Sequence, residues 1–334
     1  MKLPYFEYLE PKTLDQVLQS LSEHPGQTRL LAGGTDLLPL MRFGLAQPTC
    51  VISLKSLSAL QGVTVRNGEL HIGSMTTLTE LLSSKEVQES FAAFYEALES
   101  VAAPPIRNGA TIGGNLCQNS RCLFYNQSKT WREEQPPCFK AGGDVCLAVP
   151  GGKKCFSVYQ GDLAPALIAF GVRIKVEKKG SSRTIPLEKL FSGEAKHPIA
   201  LSDDEMITEV LLPVPKGQVG SAYRKMRMRS AVDYSLLSVA VVICLNNQGK
   251  IDAARVVLGA AGPAPSVAHE AADLLLGKSP PGVDLDTIGH AVAGGTQMVN
   301  NLVLPASYRR RMIRVFARRA LEAAIQAALR KERP

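Results

Sequence analysis

Five of the seven cysteines in this 334-residue chain fall between Cys117 and Cys155. The stretch 121–160 that holds most of them is rich in Cys, Lys, Gly and Pro and shows no sustained helix or strand period. It therefore reads as an irregular loop set inside an otherwise regular chain. Cys122, Cys138, Cys146 and Cys155 are separated by 15, 7 and 8 residues, too far for the short Cys-x₂-Cys pairs of most zinc modules. The N-terminus, Met1 to Glu7, has no apolar core of a secretory signal, so the chain is expected to stay in the cytoplasm. Thiols there remain reduced, and a cysteine cluster points to metal or redox chemistry. Four thiolates on one irregular loop suit an iron–sulfur cluster, whose ligands need no regular secondary structure. Gly142, Gly143, Gly151 and Gly152 lie beside them, as expected where backbone wraps a bulky group. A zinc site and a set of unrelated thiols are the alternatives. Cys117 follows a glycine turn, and Cys50 and Cys244 sit in apolar strand patterns that read as core.

The rest of the chain is periodic. Thr13 and Gln16 form a capping box before an apolar helical pattern at Leu14, Val17, Leu18 and Leu21. A short strand at 29–32 runs through Gly33-Gly34-Thr35-Asp36 into a helical turn at 37–42, and 50–54 reads as another strand. Asn67-Gly68 between apolar runs predicts a hairpin of 63–65 with 69–72. Helices are expected at 78–83 and 87–101, then a second glycine turn at Thr111–Asn115, a helix at 162–170 and strands at 172–176 and 206–212. Pro213-Val-Pro215 and the glycines after it suggest a boundary near 215–220. Beyond it come an antiparallel pair, 235–245 with 251–258, and helices at 267–276, 287–299 and from 308 to the end.

Length alone suggests about two domains at ~150 residues each. Hydrophobic residues at 45% and charged residues at 20% exclude disorder and coiled coil, and no apolar run approaches a membrane span. The net charge of +8 raises the question of nucleic acid. Aromatics at 6%, dispersed basic residues and the absence of helix-turn-helix or zinc-finger spacing argue against it. Arg309, Arg310, Arg311, Arg314, Arg318 and Arg319 are the one basic cluster, expected on a helix either as a solvated surface or as a face toward another subunit or domain. The segment 121–160 has a local balance of +3, which suits a negatively charged cluster or an acidic electron carrier.

There is no G-x-G-x-x-G behind a strand, no P-loop and no H-E-x-x-H, and the five histidines are scattered. What remains are the two glycine turns. Each can aim backbone N–H groups into one concavity, which suits phosphate, and two in one domain favour a dinucleotide held by backbone. Plain tight turns are the bland alternative.

The ordered set Leu30–Leu37, Arg107–Asn115, Gly161–Leu167 and Tyr308–Ile313 resembles the FAD-binding medium subunits of the molybdenum hydroxylases, the xanthine oxidase family. The forty-residue cysteine insert, with Arg121–Ser128 and Trp131-Arg132, is similar to the 4-hydroxybenzoyl-CoA reductase β subunit within that family. The resemblance implies an α+β fold: a two-lobed FAD-binding domain of PCMH type at 1–215, with lobes about 1–55 and 56–215 and the insert at 121–160, then a smaller C-terminal α+β domain at 216–334. It implies an FAD cradle from Leu30, Leu31, Ala32, Gly33, Gly34, Thr35, Asp36 and Leu37, with Thr111, Gly113, Gly114 and Asn115 as its second half and Val101 nearby. Asp162 would accept a hydrogen bond from the cofactor, and Ile207 and Lys225 would lie by the isoalloxazine. Cys122, Cys138, Cys146 and Cys155 would ligate a [4Fe–4S] cluster. The implied partners are a large molybdopterin subunit, a small subunit with two [2Fe–2S] clusters and ferredoxin as electron donor. The implied reaction is reductive dehydroxylation of 4-hydroxybenzoyl-CoA, with only electron transfer on this chain. A medium subunit of an aldehyde or purine oxidoreductase is the runner-up.

Overall fold

The computed structural model describes residues 3–330. The first lobe is a small parallel sheet of β1 (Glu7–Leu9), β2 (Thr28–Leu31) and β3 (Cys50–Ser53), in the order β1-β3-β2. Helix α1 (Leu14–Glu23) carries the expected capping box: Thr13 Oγ1 accepts from the Gln16 N–H at 3.3 Å, and the Gln16 side chain accepts from the Thr13 N–H. Its apolar stripe, Val17, Leu18 and Leu21, joins Cys50, Ile52 and Leu54 in one small core. Helix α2 (Leu37–Arg42) follows the first glycine turn.

The second lobe is an antiparallel sheet of β4 (Val63–Arg66), β5 (Glu69–Gly73), β6 (Arg173–Lys178), β7 (Ser181–Pro186) and β8 (Met206–Pro213), in the order β4-β5-β8-β6-β7. Asn67 and Gly68 both take positive φ (50° and 76°), the geometry of the two-residue turn that Asn-Gly favours. Strand β7, exposed along most of its length, carries no apolar pattern and was not expected. Helices α3 (Leu78–Ser83), α4 (Lys85–Ser90), α5 (Ala92–Ser100), α6 (Pro104–Arg107), α7 (Ile112–Leu116), α8 (Lys129–Glu133) and α9 (Leu163–Ala169) complete the lobe. The single helix expected over 87–101 is instead two. The chain leaves helical geometry at Phe91 (φ −130°), which lets that fully buried ring meet Phe170 edge-on at 5.2 Å. The second glycine turn is also different from expectation: Ile112–Leu116 is one turn of helix, with Thr111 Oγ1 accepting from the Gly114 N–H at 3.2 Å.

The C-terminal part is an antiparallel sheet of β9 (Gln218–Met226), β10 (Leu237–Leu245), β11 (Ile251–Gly259) and β12 (Ser266–Val267), ordered β12-β11-β10-β9, with α10 (His269–Asp273), α11 (Leu285–Gly294) and α12 (Ala306–Arg330). The sheet is buried on both faces. Tyr223, Ala240, Val242 and Val257 join the core of the second lobe, while Ala222, Val239, Val241, Ile243 and Val256 join the core beneath the helices. Burial on both sides explains why β10 reads as an unbroken apolar run. Gly220 lets α12 approach β9, since a Cβ there would stand 1.9 Å from the Ala324 carbonyl oxygen. The expected continuation of the last helix to the chain end lies outside the described residues. The fold is thus α+β, two lobes followed by antiparallel strands and helices, as expected. Among the described residues no helix is long and apolar enough to cross a membrane.

Candidate functional site

The two lobes and the loop between β9 and β10 meet around a groove of about 910 Å³. It gathers segments far apart in sequence: Leu30, Ala32–Leu37, Val101, Thr111, Gly113–Asn115, Asp162 and Ile207 all line it. Of the site residues expected from sequence, Leu31 and Lys225 are not in its wall. The Leu31 side chain lies instead beside Gly34.

The glycines serve two different ends. Gly34 has φ +73°, a left-handed conformation that costs any L side chain. Gly33 is required by contact: a Cβ there would stand 1.7 Å from the carbonyl oxygen of Gly109, so the two segments touch backbone to backbone. Gly113 meets the Ser74 carbonyl in the same way, at 2.8 Å from an added Cβ. Gly33 and Gly113 therefore close the groove's floor, a role that the expectation of phosphate-facing turns did not include.

Asp162 is buried at the groove and doubly held. Its Oδ1 accepts from the Tyr223 hydroxyl at 3.0 Å and its Oδ2 from Lys225 Nζ at 2.8 Å. Burial pushes its carboxyl above the ordinary range, and Lys225 pulls it back. The Lys225 ammonium is spent on three acceptors, donating also to the Ser100 and Asp233 carbonyls at 3.0 and 2.9 Å. It thus stands behind Asp162, holding the carboxylate from the side away from the cavity.

Asp36 is raised by burial, partly offset by Arg121, whose guanidinium lies 3.7 Å away and stacks over the Tyr234 ring at 4.0 Å. Tyr234, Gln160 and Val232 line the groove and were missed by sequence reasoning. Val232 (φ 50°) and its neighbour across the wall, Ala102 (φ 42°), both occupy left-handed backbone, with the Val232 N–H donating to the Ala102 carbonyl at 3.0 Å. A β-branched residue in that region is strained. The Asn115 side-chain oxygen is buried without a hydrogen-bond partner. A buried acceptor left open beside a groove fits a ligand donor such as a hydroxyl.

A second cavity, about 20 Å³ and apolar-walled, is lined by Cys122, Cys138, Cys146 and Cys155 together with Phe124, Tyr125, Phe139 and Lys140. All seven cysteines are free thiols. Burial pushes the Cys122 thiol up to about 11, and it brings the Lys140 ammonium down to about 8. Lys140 donates to the Ser120 carbonyl at 2.8 Å and to Asn119 Oδ1 at 2.9 Å. Both ends of the segment are pinned together, Arg121 and Val158 exchanging N–H···O bonds of 2.7 and 2.8 Å. Among the described residues no three His, Cys, Asp or Glu side chains are gathered so as to hold a metal ion. The four thiols face one cavity without forming a cage for a single ion, so the compact tetrahedron that zinc requires is not present. Thiolates are the donor type that an iron–sulfur cluster takes, but these four do not enclose a volume that would hold one. The cavity itself has room for about one water, so seating such a group requires the loop to open.

The basic helix departs from expectation at one residue. Arg309 is fully buried, while Arg318 pairs with Glu322 at 2.9 Å and Asp286 at 3.3 Å, and Arg314 meets His290 at 3.1 Å. Arg310, Arg311, Arg314, Arg318 and Arg319 are exposed, as a solvated helix surface would have them, and Arg309 alone of the six lies in the interior.

Comparison with known proteins agrees with this architecture. Residues 4–215 match the family described as the FAD binding domain in molybdopterin dehydrogenase, and residues 221–324 the CO dehydrogenase flavoprotein C-terminal domain. The chain is 30% identical to caffeine dehydrogenase subunit beta of Pseudomonas sp. (strain CBB1) over 85% of its length and 82% of that protein. It is 26% identical to the carbon monoxide dehydrogenase medium chain of Hydrogenophaga pseudoflava, covering 96% and 97% of the two chains. The structure of reconstituted CO dehydrogenase from Oligotropha carboxidovorans superposes with a TM-score of 0.80 at 25% identity, covering 98% of this chain and 100% of that one. With its two lobes closed around one groove and both halves of its length matched, the chain belongs to the FAD-binding medium subunits of the molybdenum hydroxylase family.

Proposed function

We propose that the groove is the FAD site, that the cysteine cavity holds a [4Fe–4S] cluster, and that the chain is the electron-transfer subunit of a molybdenum enzyme. The observation that carries the reading is the convergence of the 30–37 and 111–115 segments with Asp162 on one groove of about 910 Å³, large enough for an extended dinucleotide. Backbone N–H groups of Ala32 to Asp36 supply the pyrophosphate cradle, while Gly113 and Gly114, whose N–H groups are spent on the Ser74 carbonyl and Thr111 Oγ1, line its second half without side chains. Asp162, fixed by Lys225 and Tyr223, presents its carboxylate to a cofactor hydroxyl, and the open acceptor of Asn115 takes another. Ile207 and Val101 give the apolar wall for the flavin ring. FAD, when bound, accepts and passes electrons singly or in pairs.

The partners follow from that role: a large molybdopterin subunit that binds the substrate and a small subunit with two [2Fe–2S] clusters. The insert's likeness to the 4-hydroxybenzoyl-CoA reductase type favours reductive dehydroxylation of 4-hydroxybenzoyl-CoA with ferredoxin as donor. A chain whose cysteines serve as cluster ligands belongs in a reducing compartment, and the cytoplasm is the proposed location. The second reading, a purine or aldehyde oxidoreductase subunit, is favoured by the likeness to caffeine dehydrogenase subunit beta.

The test is anaerobic purification of the chain with its partner subunits, followed by flavin, iron and acid-labile sulfide analysis. Benzoyl-CoA formation from 4-hydroxybenzoyl-CoA with reduced ferredoxin is then compared with oxidation of purines and aldehydes. Flavin without iron beyond that of the small subunit overturns the cluster assignment. Turnover of purines or aldehydes alone overturns the reductase reading.

A further inference from the structure

We infer that Arg309 and Asn301 form a latch that fixes both ends of the cysteine segment, and that they are positioning residues for Cys122 and Cys155. The inference rests on the reading that these thiols hold a metal cluster. Its geometry is independent of that reading.

Arg309 is one of the largest fully buried side chains among the described residues, and none of its hydrogen-bond partners there is a carboxylate. Its Nη2 donates to the Val299 carbonyl at 2.6 Å and to Asn301 Oδ1 at 3.2 Å, and its Nε to the Leu304 carbonyl at 3.3 Å. All three acceptors lie in the strip 299–304, which has neither helix nor strand. Arg309 is therefore the centre around which that strip is folded.

Asn301 passes this order on to the cysteine segment. Because its side-chain oxygen faces Arg309, its amide nitrogen faces the other way and donates to the Phe156 carbonyl. Its own carbonyl accepts from the Leu123 N–H at 2.9 Å. Leu123 directly follows Cys122, and Phe156 directly follows Cys155. One buried asparagine in the C-terminal part thus grips the neighbours of the first and last of the four cysteines. Cys138 has no such tie in the described hydrogen bonds: its backbone pairs with Val145, within the segment itself.

Asn301→Asp separates positioning from folding. A carboxylate at 301 keeps its partner in Arg309, with a stronger, charge-assisted bond, but it cannot donate to the Phe156 carbonyl. The full chain is purified anaerobically as wild type, Asn301→Asp and Arg309→Gln, each checked for FAD content and thermal midpoint. Iron release to a chelator and iodoacetamide labelling of Cys155 against Cys146 are then followed. In Asn301→Asp, FAD content should stay at the wild-type value and the midpoint should fall by only a few degrees, while iron release and Cys155 labelling rise roughly tenfold, the effect of losing one buried hydrogen bond. Arg309→Gln should raise labelling of both Cys122 and Cys155. A FAD-loaded Asn301→Asp protein with wild-type labelling of Cys155 overturns the latch. If wild type carries no cluster iron, the cluster reading fails by itself, and the labelling ratio still decides the latch.

Discussion

Replacing Lys225 by methionine removes the cation behind Asp162 and leaves the shape of the groove floor nearly intact. The pair is almost entirely withdrawn from water, with side-chain exposures of 3% for Lys225 and 8% for Asp162. Breaking one partner of such a buried pair costs about 3–5 kcal/mol, because the remaining charge is left uncompensated. The Ser100 and Asp233 carbonyls lose a donor as well, but these losses share one side chain and do not add. At about 2–4 °C per kcal/mol, the thermal midpoint should fall by roughly 6–20 °C. The sign of the pH effect follows from Asp162. Burial already holds its carboxyl above the ordinary value, and without Lys225 it rises further. The folded state then binds more protons than the unfolded one from the ordinary carboxylate range up to the new value. The loss of stability should therefore be largest at neutral pH and shrink as pH falls through that window. The double variant Asp162→Asn with Lys225→Met removes both charges and should recover part of the loss. Urea unfolding of the two single variants and the double variant gives the cycle directly, and flavin titration of the same samples reports whether the displaced carboxylate matters to the groove. A Lys225→Met protein within about 1 kcal/mol of wild type would refute the reasoning, since a buried, unpaired carboxylate cannot be that cheap.

Gly33→Ala should be worse than Gly34→Ala, because its Cβ meets the rigid Gly109 carbonyl, whereas at Gly34 a left-handed backbone penalty of about 1–2 kcal/mol is joined only by contacts with the ends of the Leu31 and Leu38 side chains, which can move; flavin content and midpoint of the two variants test the order. Cys138→Ala should lose the cluster iron while keeping stoichiometric FAD, measured by metal and flavin analysis, and a variant retaining full iron would exclude Cys138 as a ligand. Val232→Gly relieves the strained φ at the groove wall and should raise stability by about 1 kcal/mol in urea unfolding. An unchanged or lower value would show that the valine side chain more than offsets its backbone.

What was legible in the sequence was local. The capping box at Thr13 and Gln16, the Asn67-Gly68 turn and the apolar run of β10 each carry their signal within a few residues, and each formed as expected. The glycine segments were correctly singled out, but half of the reason was not: Gly33 is required by Gly109, a partner that only the folded chain brings near. Strand β9 escaped notice because Gly220, Ser221, Arg224 and Lys225 break any apolar alternation. Its small residues answer to α12 on one side, and its lysine answers to Asp162 on the other. Arg309 was grouped with its neighbours as surface charge, since its acceptors are carbonyl and amide oxygens of 299–304 and such partners leave no mark in a sequence. The four cysteines were legible as a group by spacing, and their convergence on one cavity is a property of the fold.

The paired backbone bonds between Arg121 and Val158 mean that the cysteine segment enters and leaves the fold at a single point. Its removal would leave two ends already touching, and a short linker could join them without displacing α7 or α9. The entropy of closing a loop grows only slowly with its length, so the frame is nearly indifferent to how much chain hangs from that point. The segment is in this sense a transplantable cassette: on the proposed reading, one contiguous insertion suffices to add a second redox centre to a flavin carrier, and one deletion suffices to remove it. Asn301, buried and turned toward a loop the frame does not need, is the place where the host would keep the imprint of its guest.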